Sequence, residues 1–308
     1  MDAIEIIDLC RQASYDAIGV PKDAWVPRTF SEGDYQNLWR AHPKQVRKLL
    51  DELLCGPRPG EGLELLLRFN VLSALFPEVV SMKNLGDGEG MHKDVWEHTK
   101  SVVSGVPATV ELRWAALLHD VGKARTRRVV NNKVTFHNHD IVGARMVDAL
   151  HSRTNLFQDD TGLLRTVRLL VQHHLRPAGY KASWTDSAVR RLVTECGDPR
   201  FFDKLMSLSR ADLTTKHASK RDRAMARGRE LEQRVAQIIK NDNAPKLPKG
   251  TMGIIMSKVA ARPGPWLNAV REQLEAMMVA GLLQASQPVD YYVSHGVKII
   301  EEFSDRGD

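Results

Sequence analysis

The sequence predicts an all-α fold, and three observations carry that expectation. Apolar residues recur at helical spacing along most of the chain. Glycine and proline interrupt the pattern at intervals suited to helices of ordinary length. Residues with β-branched side chains cluster around a turn signal in one place only, at 128–136. The 308 residues suffice for one large or two small domains with a substantial core. Hydrophobic content of 43% and charged content of 27% are those of an ordinary globular chain.

Taken in order, 45–55 (QVRKLLDELLC) and 61–70 (EGLELLLRFN) read as two short amphipathic helices broken by Gly56-Pro-Arg-Pro-Gly60. The next helix runs from Asp94 to about Val106, with Val95, Thr99, Val102, Val103 and Val106 on one face. A helix ending at HDVGK follows, and then a short hairpin turning at Asn131-Asn132. Helices are expected at about 139–151, 160–174 and 186–196, and one over 200–217 continuing into a charged helix that reaches Lys240. Residues 241–250 form a linker, and Pro263-Gly-Pro265 starts a final helix ending near Leu283. This gives a helical body with a small helical C-terminal tail.

No run approaches the ~18 apolar residues of a membrane span. The opening MDAIEIIDLCRQ lacks the basic start and unbroken apolar stretch of a secretory signal. Cys10, Cys55 and Cys196 are isolated and odd in number, so they read as reduced thiols and a cytoplasmic location is expected. The net charge of +6 leans weakly toward phosphate-bearing partners. Between 216 and 240, Lys216, Lys220, Arg221, Arg223, Arg227, Arg229, Arg234 and Lys240 face few acids. Such a run is either a solvated helix face or a surface for RNA or nucleotide phosphate. No aromatics are interleaved, which argues against base stacking on it.

The segment AALLHDVGK, 115–123, poses the chemical question. Trp114, Leu117, Leu118 and Val121 bury one face, yet the segment ends by placing His119 beside Asp120. A bare carboxylate there is costly unless paired. In one reading the two form a hydrogen-bonded pair at a helix end with Gly122 as C-cap; in the other both are metal ligands. Further donors occur along the chain. Asp94 and His98 stand at i and i+4, His137 and His139 flank Asn138, and His173-His174 end an apolar helix. His174 continues the seam of Leu163, Val167, Leu170 and Val171, and Asp212 completes that of Phe201, Leu205 and Leu208. Singly, each of these histidines has a plain core or surface reading, Asp94 could be an N-cap, and His137 could be solvated. His42, His92, His151, His217 and His295 have no partner pattern. Several imidazoles and carboxylates in order suit Mn, Fe, Co, Ni or Zn, and the absence of cysteine ligands argues against a structural thiolate zinc site.

The order His98, His119-Asp120, Asp212 resembles the H…HD…D signature of HD-superfamily metal-dependent phosphohydrolases. GLELLLRFNVLSALFPEV, DVWEHT, WAALLHDVGKARTR, VTFHNHDIVGAR, VQHHLRP, SRADL and LPKGTMGIIMSKVAARPGPWLNAV are similar to segments of the HD domain and tail of bacterial multifunctional CCA-adding tRNA nucleotidyltransferases. They span about 40–285, in that family's order. The resemblance implies an HD-domain helical core with an N-terminal segment (1–40), a neck-like region (41–90), an HD domain (91–240) and a tail (241–308). It implies one or two divalent transition metal ions: His98, His119, Asp120 and Asp212 on the first, and His139, His173 and His174 on a second bridged by Asp120. It further implies hydrolysis of nucleotide or RNA-end phosphoesters, of the 2′,3′-cyclic phosphodiesterase, 2′-nucleotidase or phosphatase kind, by a metal-activated hydroxide. Asp120 and Lys123 would then be catalytic, Lys123 and Arg176 would bind the phosphate, and Asp94 would orient His98. The Gly-Ser and DxD motifs of a nucleotidyltransferase head are absent from the 308 residues, so nucleotide addition by this chain alone is not expected. An accessory RNA- or nucleotide-binding body partnering a separate head is the alternative.

Overall fold

The computed structural model describes residues 3–15, 42–83, 85, 94–131, 133–197, 199–213, 217–259 and 262–304. Among them the chain is helical apart from one two-stranded antiparallel hairpin. Among the described residues, seven helices precede the His-Asp pair: α1 (Ala3–Tyr15), α2 (Pro43–Cys55), α3 (Pro59–Arg68), α4 (Val71–Leu75), α5 (Pro77–Val80), α6 (Val95–Gly105) and α7 (Val110–Leu118). A short turn, α8 (Lys123–Thr126), leads into β1 (Arg128–Val130) and β2 (Lys133–Thr135). Then come α9 (His139–Thr154), α10 (Thr161–His173), α11 (Asp186–Cys196), α12 (Pro199–Asp212) and α13 (Ala218–Asn243). Last are α14 (Thr251–Lys258), α15 (Trp266–Val279) and α16 (Val289–Ser304). The chain forms two compact units, 1–235 and 236–308.

In the first unit α7 is the axis. Helices α2, α6, α10 and α12 all pack on it. Leu112 to Leu118 are therefore buried all round, as expected of a helix enclosed by others, and the one charged residue in that run, Arg113, donates to Val103 O. Trp114 is fully buried; Phe76 and Phe157 meet it edge-on at 5.8 and 5.7 Å. Its indole N–H donates to Asp51 Oδ1 at 2.6 Å, so the one polar atom of the ring is satisfied. Helix α1 packs on α2 and α3 through Ile6, Ile7 and Cys10.

The second unit has its own core, built from Ile255, Val270, Leu274, Met278, Leu283, Tyr292, Val293 and Ile299. The sequence reading ended the helices near Leu283, yet α16 continues the core beyond it. Its apolar period, Tyr292, Val293 and Ile299, is interrupted by Gly296, whose missing side chain admits Ile255. The helix expected over 200–217, running with little interruption into a charged helix, is shorter than expected, and the break before the charged helix is real. Helix α12 stops at Asp212 and α13 starts at Ala218.

The hairpin stands where expected, with Arg128 opposite Thr135 and Val130 opposite Lys133. Asn131 takes the left-handed conformation its two-residue turn requires (φ 50°). Asn132 lies outside the described residues, as do His92 and most of 1–40. Among the described residues, no helix is long and apolar enough to cross a membrane.

Candidate metal centre

Six of the donors named from sequence converge in the first unit. His98 Nε2, His119 Nε2 and one Asp212 oxygen form one group; Asp120, His139 and His174 form another. Helix ends deliver them. His119 closes α7, Asp120 lies in the turn after it, and His139 opens α9. His174 caps α10, and Asp212 ends α12.

Three imidazoles are fixed in the same way. His119 Nδ1 donates to Ala116 O at 2.8 Å, His139 Nδ1 to Phe136 O at 2.8 Å, and His174 Nδ1 to Val171 O at 2.7 Å. A carbonyl cannot donate, so each Nδ1 carries the proton and each Nε2 is free to face the centre. The rings then bring lone pairs together: His119 Nε2 lies 3.3 Å from His98 Nε2, and His139 Nε2 lies 3.3 Å from His174 Nε2. Two imidazole lone pairs at that distance repel unless a proton or cation sits between them.

Asp120 divides its carboxylate between the groups. Oδ2 is 3.2 Å from His119 Nε2 and 3.6 Å from His98 Nε2, while Oδ1 is 3.4 Å from His139 Nε2 and 4.0 Å from His174 Nε2. Asp212 Oδ1 closes the first group at 2.9 Å from His98 and 3.6 Å from His119. Separations of this size are those of neighbouring donors each about 2.0–2.2 Å from one ion. The residues thus fit a transition metal in each group, by donor chemistry and by spacing.

Electrostatics point the same way. Burial opposes charge on His119, but Asp120 and Asp212 outweigh it and lift its pKa to about 10. Burial would raise Asp120, yet His119, His139 and Lys123 hold it well below the usual carboxylate range. Asp212 is held low against its burial by His119 and His98. Burial and the neighbouring His119 charge push His174 down to about 4, so it is a neutral ligand at physiological pH.

Gly122 is what lets these ends meet. A Cβ there would stand 2.0 Å from His139 O and 2.7 Å from Gly143 N. The plain reading of Gly122 as a C-cap does not hold, because its backbone is right-handed (φ −65°). It is needed for close approach of the HD turn to the start of α9. Gly143, the other half of that contact, was not singled out from sequence; its signal is a lone glycine inside an otherwise helical pattern.

His173 lies in neither donor group. Adjacent residues on a helix point about 100° apart, so only one of the pair can follow the buried seam. His173 is buried at 8% exposure but away from the donors, and burial with Arg176 nearby lowers its pKa. Asp94 caps α6, its carboxylate accepting from Trp96 N at 2.8 Å, and so fixes the start of the helix that carries His98. Lys123 Nζ donates to Asp120 Oδ2 at 2.7 Å. Arg176 pairs with Glu195 at 3.2 Å on the surface, and His137 is exposed.

Comparison with known proteins agrees with this geometry. The HD domain family profile matches residues 95–280. The chain is 31% identical to the CC-adding tRNA nucleotidyltransferase of Thermus thermophilus, over 82% of this chain and 58% of that protein. It is 28% identical to the A-adding tRNA nucleotidyltransferase of Deinococcus radiodurans, over 81% of this chain and 57% of that protein. A third relative, the multifunctional CCA protein of Ectopseudomonas mendocina, is 31% identical over 36% of this chain and 28% of its own length. The chain thus spans little more than half of the first two relatives. With the profile covering most of the chain and its His-Asp motif at the centre of the donor cluster, the chain belongs to the HD domain family.

Proposed function

We propose that the chain is a metal-dependent phosphohydrolase acting on nucleotide or RNA-end phosphoesters. The observation that carries the reading is Asp120. Its two oxygens face two separate donor groups, as a carboxylate bridging two cations must. When bound, divalent ions supply Lewis acidity, acidifying water and polarising phosphoryl oxygens. The chain's own residues then set the rest. The Nδ1 hydrogen bonds hold three imidazoles with Nε2 turned to the centre, and His119 would give up its Nε2 proton when it ligates. Asp212 is 24% exposed, whereas His139, His174 and Asp120 are all buried, so the first group opens toward solvent at Asp212. Lys123, 20% exposed beside Asp120, brings an ammonium to the edge of the centre, where it meets a phosphate oxygen. Arg176, part-exposed and paired with Glu195, is the second candidate for holding the phosphate.

The relatives' names favour a second reading, an accessory body serving tRNA nucleotide addition. A pure binding module has no use for two complete donor groups, and this favours the hydrolase. Purified protein reconstituted with Mn, Co, Ni, Fe or Zn should hydrolyse one or more of the 2′,3′-cyclic nucleotides, 2′-nucleotides and RNA 3′-phosphates. Metal binding without turnover on any of them would support the accessory reading instead.

A further inference from the structure

A cavity of about 280 Å³ lies between α12, α13 and the loop after α10, all within the first unit. Its walls are apolar: Met206 and Leu213 from α12 and the residue run after it, Ala224 and Met225 from α13, and Pro177 from the loop. No described residue explains this space by filling it, and Gly228 widens it by leaving Met206 Cε 3.6 Å from where a side chain would begin. Two of its wall residues adjoin donors of the metal centre along the chain. Leu213 directly follows Asp212 and Pro177 lies three residues past His174, so the walls begin within roughly 12 Å of the backbone of both ligands.

The rim is cationic. Arg210 is engaged by Glu232. Arg227 and Arg229 are exposed and have no carboxylate partner among the described residues. An apolar floor with free guanidinium groups at its mouth suits a flat, weakly polar group carrying an anionic tail. Methionine thioethers give such a group a soft, polarisable wall where no aromatic is present.

We propose that this cavity holds the nucleoside of the phosphoester whose phosphate is bound at the metal centre, the base lying against Met206, Met225 and Leu213. The assignment rests on the hydrolase reading for the phosphate, and on the cavity alone for the nucleoside. It accounts for the unpartnered arginines of α13, which become neighbours of the ribose-phosphate. It also makes the chain selective for nucleosidic phosphoesters over simple ones.

The test uses the full chain, with adenosine and AMP as probes in calorimetry, without added metal. Ala224→Phe fills the cavity and should weaken both probes about tenfold or more. The double variant Arg227→Glu, Arg229→Glu changes only exposed side chains and should weaken AMP about tenfold while changing adenosine by less than about twofold. If Ala224→Phe does not fold, the double arginine variant decides the matter by its AMP-against-adenosine difference. Absence of adenosine and AMP binding to the wild-type chain, or equal binding by a folded Ala224→Phe, overturns the proposal. The two readings fail separately. Nucleoside binding without any phosphoester turnover sinks the hydrolase and keeps the cavity; turnover with no nucleoside binding does the reverse.

Discussion

The two donor groups share one carboxylate but differ in their surroundings. The first, His98, His119 and Asp212, opens to solvent at Asp212, and its anions hold His119 charged up to about pH 10. The second, His139 and His174 with Asp120, is buried throughout, and His174 stays neutral down to about pH 4. To hold a cation, His119 would have to give up a proton, whereas His174 is already neutral. The difference is one of access: Asp212 opens the first group to solvent while the second is enclosed, so under the proposed function the first group would exchange its ion and meet substrate more readily than the second.

The largest test of that comparison is Asp120→Ala, which removes a donor from both groups at once. It should abolish metal-dependent hydrolysis, a loss on the order of a thousandfold or more in kcat/KM, and lower metal content at both groups. Asp212→Ala and His139→Ala should divide the effect: each should lose about one metal equivalent, and the His139 variant should keep the more exposed ion. Loss of both ions from either single variant, with the fold retained, would show that the groups are not separable.

Lys123→Ala comes next. It removes the ammonium from Asp120 Oδ2 but no metal donor. Metal content should hold while kcat/KM falls roughly a hundredfold, the usual loss for one charge-assisted contact to a developing phosphate charge. Unchanged kcat/KM would make this lysine a structural counter-ion of the carboxylate only.

A smaller effect concerns pH. The folded chain resists protonating His174, while the unfolded chain takes up that proton near 6.5. The metal-free protein should therefore keep this contribution above about pH 6.5 and lose it as pH falls toward about 4, by at most about 3 kcal/mol. His173, also lowered by burial, adds in the same direction. His119 acts oppositely in another window: its raised pKa gives stability that is complete below about 6.5 and fades toward pH 10. Urea melts of metal-free protein at pH 7 and pH 5 measure the first window. His174→Gln should flatten it, and a wild-type profile already flat there would contradict the burial argument.

The smallest expected effect is the sharpest discriminator between neighbours. His173→Ala should leave metal content unchanged and alter kcat/KM by less than about threefold, whereas His174→Ala should cost a metal equivalent.

That last contrast marks where the sequence stops being legible. Seams identify which faces are buried, so Trp114, Val167, Leu205 and their partners could be read from periodicity, and with them the buried placement of Asp120 and His174. The choice between His173 and His174 depends on about 100° of helix rotation, and the resemblance to known binuclear sites gave both. The convergence of α6, α7, α9, α10 and α12 on one centre came from resemblance, because helical periodicity says which face is apolar and not which partner covers it. The role of Gly122 stayed open because glycine at a helix end has two causes, a left-handed backbone and close approach, and only coordinates separate them. Helix α16 was placed only as part of a helical tail, its start following Pro288 and its apolar period broken by Gly296, which admits Ile255.

The central claim is that Asp120 bridges two ions. Metal analysis of the purified chain, saturated with Mn or Co and freed of excess, tests it most directly alongside Asp120→Asn, which keeps the shape but halves the anionic donor set. The account predicts two equivalents bound by the wild-type chain and fewer than one by the variant. Two equivalents retained by Asp120→Asn, or none bound by a folded wild-type chain, would contradict it.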